Sequence, residues 1–300
     1  MKVCFYTEPT WAFGAIHYGL VKHLKQKGIT ANVLSYFNEY TDREWELLNK
    51  TYDVFVTTPC YAPTHLTNRG ISPDRIVLIA HGRPDYHYGL KCEHQWETFR
   101  GMAAISPMLI KHAHEIGITT PIKLLQNGIE FDFFYQPHAT KLKTVGYAGI
   151  WQRKDETDGN EDWKRPFIAL EVCNDTSTKF ISNLQKLYYQ TMPGFYSEMD
   201  CLINTSTFRE TCGLPIMEAA AAGRLVISAN IGIVDHLHES PGIIVPEDED
   251  NFIKASTHVI NYYKHDDVSF ANHCKKAQEF AREHYDWSAV IDDWVDVIAG

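Results

Sequence analysis

Three hundred residues, 44% hydrophobic and 22% charged, suffice for roughly two globular domains with their own cores. The formal net charge is −10, carried by the second half: residues 1–140 hold 13 Lys and Arg against 13 Asp and Glu, residues 141–300 hold 15 against 25. There is no basic stripe of the kind that marks nucleic-acid binding, no run near the ~18 apolar residues of a membrane span, and no C-x-x-C among the seven scattered cysteines.

A reducing, cytoplasmic location is therefore expected, and MKVCFYTEP turns polar too early for a signal peptide. KVCFY (Lys2–Tyr6) predicts a strand, and Ile16, Leu20 and Leu24 share one face of a helix over Ile16–Lys27 that Gly28 ends. Further strands are predicted at Ala31–Ser35, Val54–Thr57, Ile76–Ala80, Met102–Ile105 and Ile122–Leu125, with a helix at Pro107–Ile116. Apolar strands separated by helices read as a parallel sheet covered on both faces.

The polar stretch YQPHATKLK (Tyr135–Lys143) marks a boundary, and the pattern then restarts. Strands are predicted at Thr144–Ala148, Lys179–Ile181, Cys201–Asn204, Leu225–Ser228 and Ile243–Val245, and helices near Pro166–Val172 and over Asp250–Tyr263. The expected architecture is α/β: two Rossmann-like domains, 1–138 and 139–283, with parallel sheets facing a central cleft where the ligand binds at the strands' carboxyl ends. Residues 284–300 follow as a helix whose stripe of Trp287, Val290, Ile291, Trp294, Val295 and Ile298 must pack on something.

FRETCGLPIMEAAAAG (Phe208–Gly223) follows the strand Cys201–Asn204, so residues 205–214 form a loop at a strand's carboxyl end. Pro215 suits the first position of a helix, where its missing N–H costs nothing. The N–H groups of Gly213 and Leu214 then make an anion site that Gly213 lets a phosphate approach closely. Glu218 can accept hydrogen bonds from ribose hydroxyls, and Glu210 lies where a donor's sugar would extend. A helix start alone also accounts for part of this, since an early glutamate suits the macrodipole and alanines favour helix.

FRETCGLPIMEAAAAGRLVIS resembles the E-x7-E segment of retaining GT-B glycosyltransferases, especially glycosyltransferase family 4. Ala104-Ile-Ser106 with LLQNGIEFDFF, GFYSEMDCLINTS, IIVPEDEDNF and HYDWSAVIDDW resemble, in order, other segments of that family. The resemblance implies that Glu218 binds the donor ribose, that Glu210 sits catalytically near the transferred sugar, and that Gly213 and Leu214 offer N–H groups to the diphosphate. Thr211 and Cys212 belong to the same donor-binding turn, and the last helix is expected to cross back onto the first domain.

The family's cations are displaced here. GYAGIWQRK puts Ile150 where an arginine is usual, with Arg153 or Lys154 as the nearest replacement, and DWKRPF offers Lys164 as the family's lysine, with Arg165 in place of its glycine. IAHGRPD places His81 at a strand end, where the family carries a histidine near the donor sugar. EPTWAFGAIHYG offers Gly14, with Trp11 and His17, as an altered acceptor loop, and the segment between Val172 and Tyr196 is shortened.

The implied activity is retaining transfer without a metal or other cofactor, from a nucleotide diphosphate sugar, UDP- or GDP-linked, to an acceptor hydroxyl on a glycan, lipid-linked sugar or protein. A hydroxylated base in viral DNA is an alternative acceptor. A non-catalytic nucleotide-sugar or carbohydrate-binding protein of the same fold is a rival reading. Asp248-Glu-Asp250 has the letters of a metal-binding D-x-D but opens a helix, which capping explains. Neither half has the G-x-G-x-x-G of a dehydrogenase or the G-x-S-x-G of a hydrolase.

Overall fold

The computed structural model describes residues 1–9, 11–149, 164–183, 188–207, 209–236 and 241–300. They divide into two compact units, Met1–Gly128 with Trp287–Gly300, and Ile129–Asp286. The polar stretch at 135–143, where the sequence suggested a boundary, lies inside the second unit. The chain joins that unit at Ile129, whose N–H donates to the Tyr285 carbonyl at 2.8 Å.

The first unit alternates β1 (Lys2–Thr7), α1 (Trp11–Gln26), β2 (Thr30–Ser35), α2 (Asp42–Thr51), β3 (Val54–Thr57), α3 (Ala62–Asn68), β4 (Ile76–Ala80), α4 (Arg83–Lys91), β5 (Gly101–Ala104), α5 (Pro107–Glu115) and β6 (Ile122–Leu124). All pairings are parallel, in the order β2-β1-β3-β4-β5-β6. β3 and β4 are buried at every position, as strands covered on both faces must be. Helices α2, α3 and α4 are absent from the sequence reading; α2 is the best marked of them, with a Thr41–Glu44 capping box.

Helix α1 begins at Trp11, five residues before the predicted start, because Gly14 removes a steric obstacle. A Cβ there would stand 2.4 Å from the Pro9 carbonyl oxygen, so only glycine lets the first turn lie on Pro9. Gly14 and His17 consequently sit on a helix and not on a glycine-rich loop, and Trp11 opens that helix.

The second unit carries α6 (Phe131–Phe134), β7 (Thr144–Tyr147), α7 (Pro166–Thr176), β8 (Lys179–Ser182), α8 (Met192–Ser197), β9 (Cys201–Asn204), α9 (Leu214–Ala221), β10 (Leu225–Ser228), β11 (Ile243–Ile244), α10 (Glu249–Lys264) and α11 (Asp267–His284). Its parallel sheet runs β11-β10-β9-β7-β8, the first unit's pattern shortened by one strand. Side-chain alternation serves two cores: Cys201, Ile203, Leu225 and Ile227 face one, Leu202 and Val226 the other. The sequence reading missed α11, whose buried stripe includes Cys274, Ala277, Gln278 and Ala281, residues too small or polar to stand out.

The final helix, α12 (Trp287–Ala299), belongs to the first unit. Val297, not the predicted Val295, completes its buried stripe. Trp287 fills a slot that two glycines leave open: a Cβ on Gly19 would lie 2.4 Å from its indole nitrogen, and one on Gly128 would lie 2.5 Å from its ring. Trp294 donates its indole N–H to the Gln126 carbonyl at 2.8 Å. Because a buried indole cannot yield, Gly19→Ala is expected to cost ~1–3 kcal/mol by overpacking. Urea unfolding of the full chain checks this, and an unchanged midpoint would mean that α12 shifts freely.

Candidate functional site

In each sheet the strand order reverses beside the first strand, between β1 and β3 and between β7 and β9. Loops leaving such a switch point diverge and open a crevice at the carboxyl ends. In the second unit one of those loops ends at Lys164 and Arg165, and the other is the turn leading from β9 into α9.

Lys164 is set in place through its backbone. Its carbonyl accepts the Thr205 hydroxyl at 2.5 Å and the Tyr147 hydroxyl at 3.4 Å. Arg165 adopts left-handed geometry, φ 43° and ψ 52°, the conformation that the family's glycine would serve. A non-glycine residue there costs ~1–3 kcal/mol. The guanidinium offsets this by donating to the Thr205 carbonyl at 2.9 Å and the Glu247 carbonyl at 2.8 Å.

The Lys164 ammonium meets Glu210 at 2.5 Å. The other carboxylate oxygen of Glu210 accepts the N–H of Gly213 at 3.0 Å and of Cys212 at 3.3 Å. Burial is the largest single influence and would raise this carboxyl's pKa; Lys164 and the two N–H groups outweigh it and hold the pKa below 4.5. Gly213 turns its N–H back at φ 77°, where a side chain would be strained. The sequence assigned the Gly213 N–H to a diphosphate and Glu210 to the sugar; in the structure Glu210, Lys164 and Gly213 form one hydrogen-bonded cluster. Thr211, Cys212 and Leu214 lie half-buried along the same turn.

Glu218 has the opposite environment. It is 5% exposed on α9, between the fully buried Met217 and Ala219. Burial pushes its carboxyl up to about 7, against the Tyr196 hydroxyl, which donates to it at 2.7 Å. Tyr196 lies in the GFYSEMD segment matched to the family, yet sequence reasoning did not single it out.

In the first unit His81 follows β4 and His17 projects from α1, their rings 6.0 Å apart and both buried. Burial, and then His17, lowers the His81 pKa to about 3, so the ring is neutral at physiological pH. The Asp85 carboxylate accepts the N–H of His81 at 2.8 Å and of Gly82 at 3.0 Å, and burial raises its own pKa to about 6. Asp85 was missed; its signal is an acid three residues into a helix that follows a glycine. Ile150, Arg153 and Lys154 lie outside the described residues, as does the Trp11 side chain. Asp248 accepts the Asn251 N–H at 3.1 Å and caps α10. Among the described residues no group of three His, Cys, Asp or Glu is placed to hold a metal, and no helix is long and apolar enough to cross a membrane.

The Glu218 shift makes stability depend on pH. The folded chain holds this proton up to about 7, against 4.5 for an ordinary glutamate, so it binds more protons than the unfolded chain between those values. Stability therefore falls as pH rises through that window and stays reduced above it. Glu218→Gln removes the titration. Its stability relative to wild type should improve by up to about 3 kcal/mol between pH 4.5 and 8. Urea midpoints across that range check this, and a pH-independent difference would contradict it.

Residues 159–261 match the family model described as glycosyl transferases group 1. No curated protein matches the chain by sequence. Among solved structures, HepE of Anabaena in complex with UDP-glucose is 14% identical, with a TM-score of 0.71 covering 100% of this chain and 99% of that one. A glycosyltransferase from Rickettsia africae is also 14% identical, with a TM-score of 0.71 over 99% and 97% of the two chains. An α-glucosyltransferase in complex with UDP and a 13-mer DNA containing an HMU base is 10% identical, with a TM-score of 0.69 over 100% and 99%. The fold is that of the GT-B glycosyltransferases. Together, the group 1 match in the second unit and these structural neighbours indicate a glycosyltransferase.

Proposed function

We propose that the chain is a retaining, metal-independent glycosyltransferase of the family 4 type, using a UDP- or GDP-linked sugar as donor. The observation that carries this reading is the Lys164–Glu210–Gly213 cluster at the switch point of the unit that matches the group 1 model. It combines one cation, two backbone N–H groups and a carboxylate, the parts needed to hold a diphosphate and orient a sugar. The UDP and UDP-glucose bound by HepE support the choice of donor class.

In this mechanism the acceptor hydroxyl attacks the anomeric carbon on the face from which the diphosphate leaves. The bond from that carbon to the phosphate oxygen breaks, the new glycosidic bond forms, and the hydroxyl proton passes to the departing phosphate. Lys164 supplies positive charge where negative charge develops, with Arg153 as a second cation. Backbone groups of Thr211, Cys212, Gly213 and Leu214 line the diphosphate. Glu218 accepts the ribose hydroxyls, as a carboxylate whose burial makes an unpaired oxygen costly. Glu210 accepts hydroxyls of the transferred sugar. His81, being neutral, contributes a hydrogen bond and not a charge. Gly14, Trp11 and His17 belong to the acceptor side.

Glu210 presently takes the donors that a diphosphate needs, so the two anions compete. Glu210→Gln is expected to tighten UDP binding about 5-fold, corresponding to ~1 kcal/mol of relieved repulsion. The same change should lower donor turnover on the order of 100-fold, because the sugar loses its acceptor group. Calorimetry with UDP and a donor-hydrolysis assay read the two effects. Weaker UDP binding with unchanged turnover would overturn the assignment. Turnover in neither protein would favour the non-catalytic binder, and manganese-dependent turnover would end the metal-independent mechanism.

A hydroxylated DNA base as acceptor is a second reading, supported by the DNA-bound α-glucosyltransferase of the same fold. The even balance of 13 basic and 13 acidic residues in 1–140 speaks against it. Duplex binding that weakens steeply with salt would support it.

A further inference from the structure

At the first unit's switch point lies a cavity of about 180 Å³, lined by Thr7, Glu8, Tyr36, Thr58, Cys60, Tyr61, Asp85 and Tyr88. Thr7 ends β1, Tyr36 follows β2, and Thr58 follows β3, so the reversal of strand order itself opens it. Of the acceptor-binding candidates whose side chains are described, neither Gly14 nor His17 lines it.

Its chemistry is specific. Tyr61 and Tyr88 are half exposed, 50% and 52%, at its edge. Tyr36 packs edge-on against Tyr61, ring centroids 5.8 Å apart, and against Phe37 at 4.6 Å. Phe37 is itself 65% exposed, so the aromatic rim continues to solvent. Two carboxylates, Glu8 and Asp85, and two threonine hydroxyls stand among these rings, and among the described residues no Lys, Arg or His is in the lining. Asp85 is fixed by the backbone N–H groups of His81 and Gly82, so its position is set before any ligand arrives.

A phosphate or sulfate would meet two carboxylates here and, among the described residues, no cation. A pyrimidine base offers a carboxylate an N–H or amino donor only with a carbonyl oxygen or ring nitrogen acceptor beside it, and the second carboxylate would face those acceptors. A sugar ring matches on both counts: its C–H face lies on tyrosine, and its hydroxyls donate to carboxylates and exchange hydrogen bonds with threonine. The volume is below the ~300–1,000 Å³ of pockets for drug-sized ligands, which limits the occupant to about one ring.

We propose that this cavity is the subsite for a single uncharged sugar unit of the acceptor, gripped by Tyr61 and Tyr88 and hydrogen-bonded by Glu8 and Asp85. The proposal rests on the glycosyltransferase reading for the word acceptor, and on the cavity alone for the ligand class. It makes the acceptor an uncharged glycan end, and places charged sugars and nucleic acid outside this pocket.

The test measures binding to the full chain by saturation-transfer NMR and calorimetry. The probes are methyl glycosides of glucose, galactose, mannose and N-acetylglucosamine, with glucose 6-phosphate and a 13-mer DNA containing hydroxymethyluracil as charged competitors. At least one methyl glycoside should bind, and at least 10-fold more tightly than glucose 6-phosphate. Tyr61→Ala and Tyr88→Ala should each weaken it about 5- to 10-fold, and Glu8→Gln should narrow the gap to glucose 6-phosphate, while all three keep wild-type UDP affinity. Tighter binding of the phosphate or the DNA, glycoside binding indifferent to both tyrosines, or no glycoside binding at all would overturn the proposal. If the glycosides bind as expected and no nucleoside diphosphate binds, the donor reading fails while the sugar subsite stands.

Discussion

A buried carboxylate stays charged only where donors surround it, and the geometry of the second unit's site follows from meeting that need at Glu210. Three donors reach it: the Lys164 ammonium and the N–H groups of Cys212 and Gly213. Each draws in further structure. The Gly213 N–H can turn back only from left-handed backbone, which fixes glycine at that position. Cys212 is held through its carbonyl, which accepts the Ile233 N–H at 2.8 Å; Gly232, at φ 56°, packs so closely that a Cβ would lie 2.8 Å from that oxygen. Lys164 depends on the left-handed turn at Arg165 and on the Thr205 hydroxyl beneath its carbonyl. Loops leaving β7, β9 and β10 are thereby tied around one ion pair.

The strands were legible because parallel strands buried on both faces are nearly uniform apolar runs, and IVLIA, CLIN and LVIS have few other readings. Helices bearing small or polar stripes were not: α11 hides behind Cys274, Ala277 and Gln278, and α4 behind the turn signals Gly82, Pro84 and Gly89. The donor turn was legible as a motif but not as a hydrogen-bond network. Spacing places Glu210 before α9 without revealing that its carboxylate takes the N–H groups assigned to a ligand. That outcome depends on where a chain segment 46 residues away sets Lys164. The cavity of the first unit escaped for a similar reason, since Thr7, Tyr36, Thr58, Asp85 and Tyr88 come from four separate segments and only the strand order gathers them.

The two glutamates of FRETCGLPIMEAAAAG show how one short segment supports two kinds of chemistry. Glu210, on the loop, has a cation and backbone donors, and its pKa falls; Glu218, inside α9, has one tyrosine hydroxyl and apolar neighbours, and its pKa rises to about 7. A phosphate-bearing ligand is tolerable beside the first because Lys164 can transfer its charge from carboxylate to phosphate. Beside the second, among the described residues, no cation is present to exchange, so what Glu218 can gain is a neutral donor such as a hydroxyl. The same logic separates the two switch points. The one in the second unit holds Lys164 and suits an anion, whereas the cavity in the first unit holds carboxylates, hydroxyls and aromatic faces and suits an uncharged polyol. Two sheets that share one reversal of strand order therefore present different chemistry through the side chains set there.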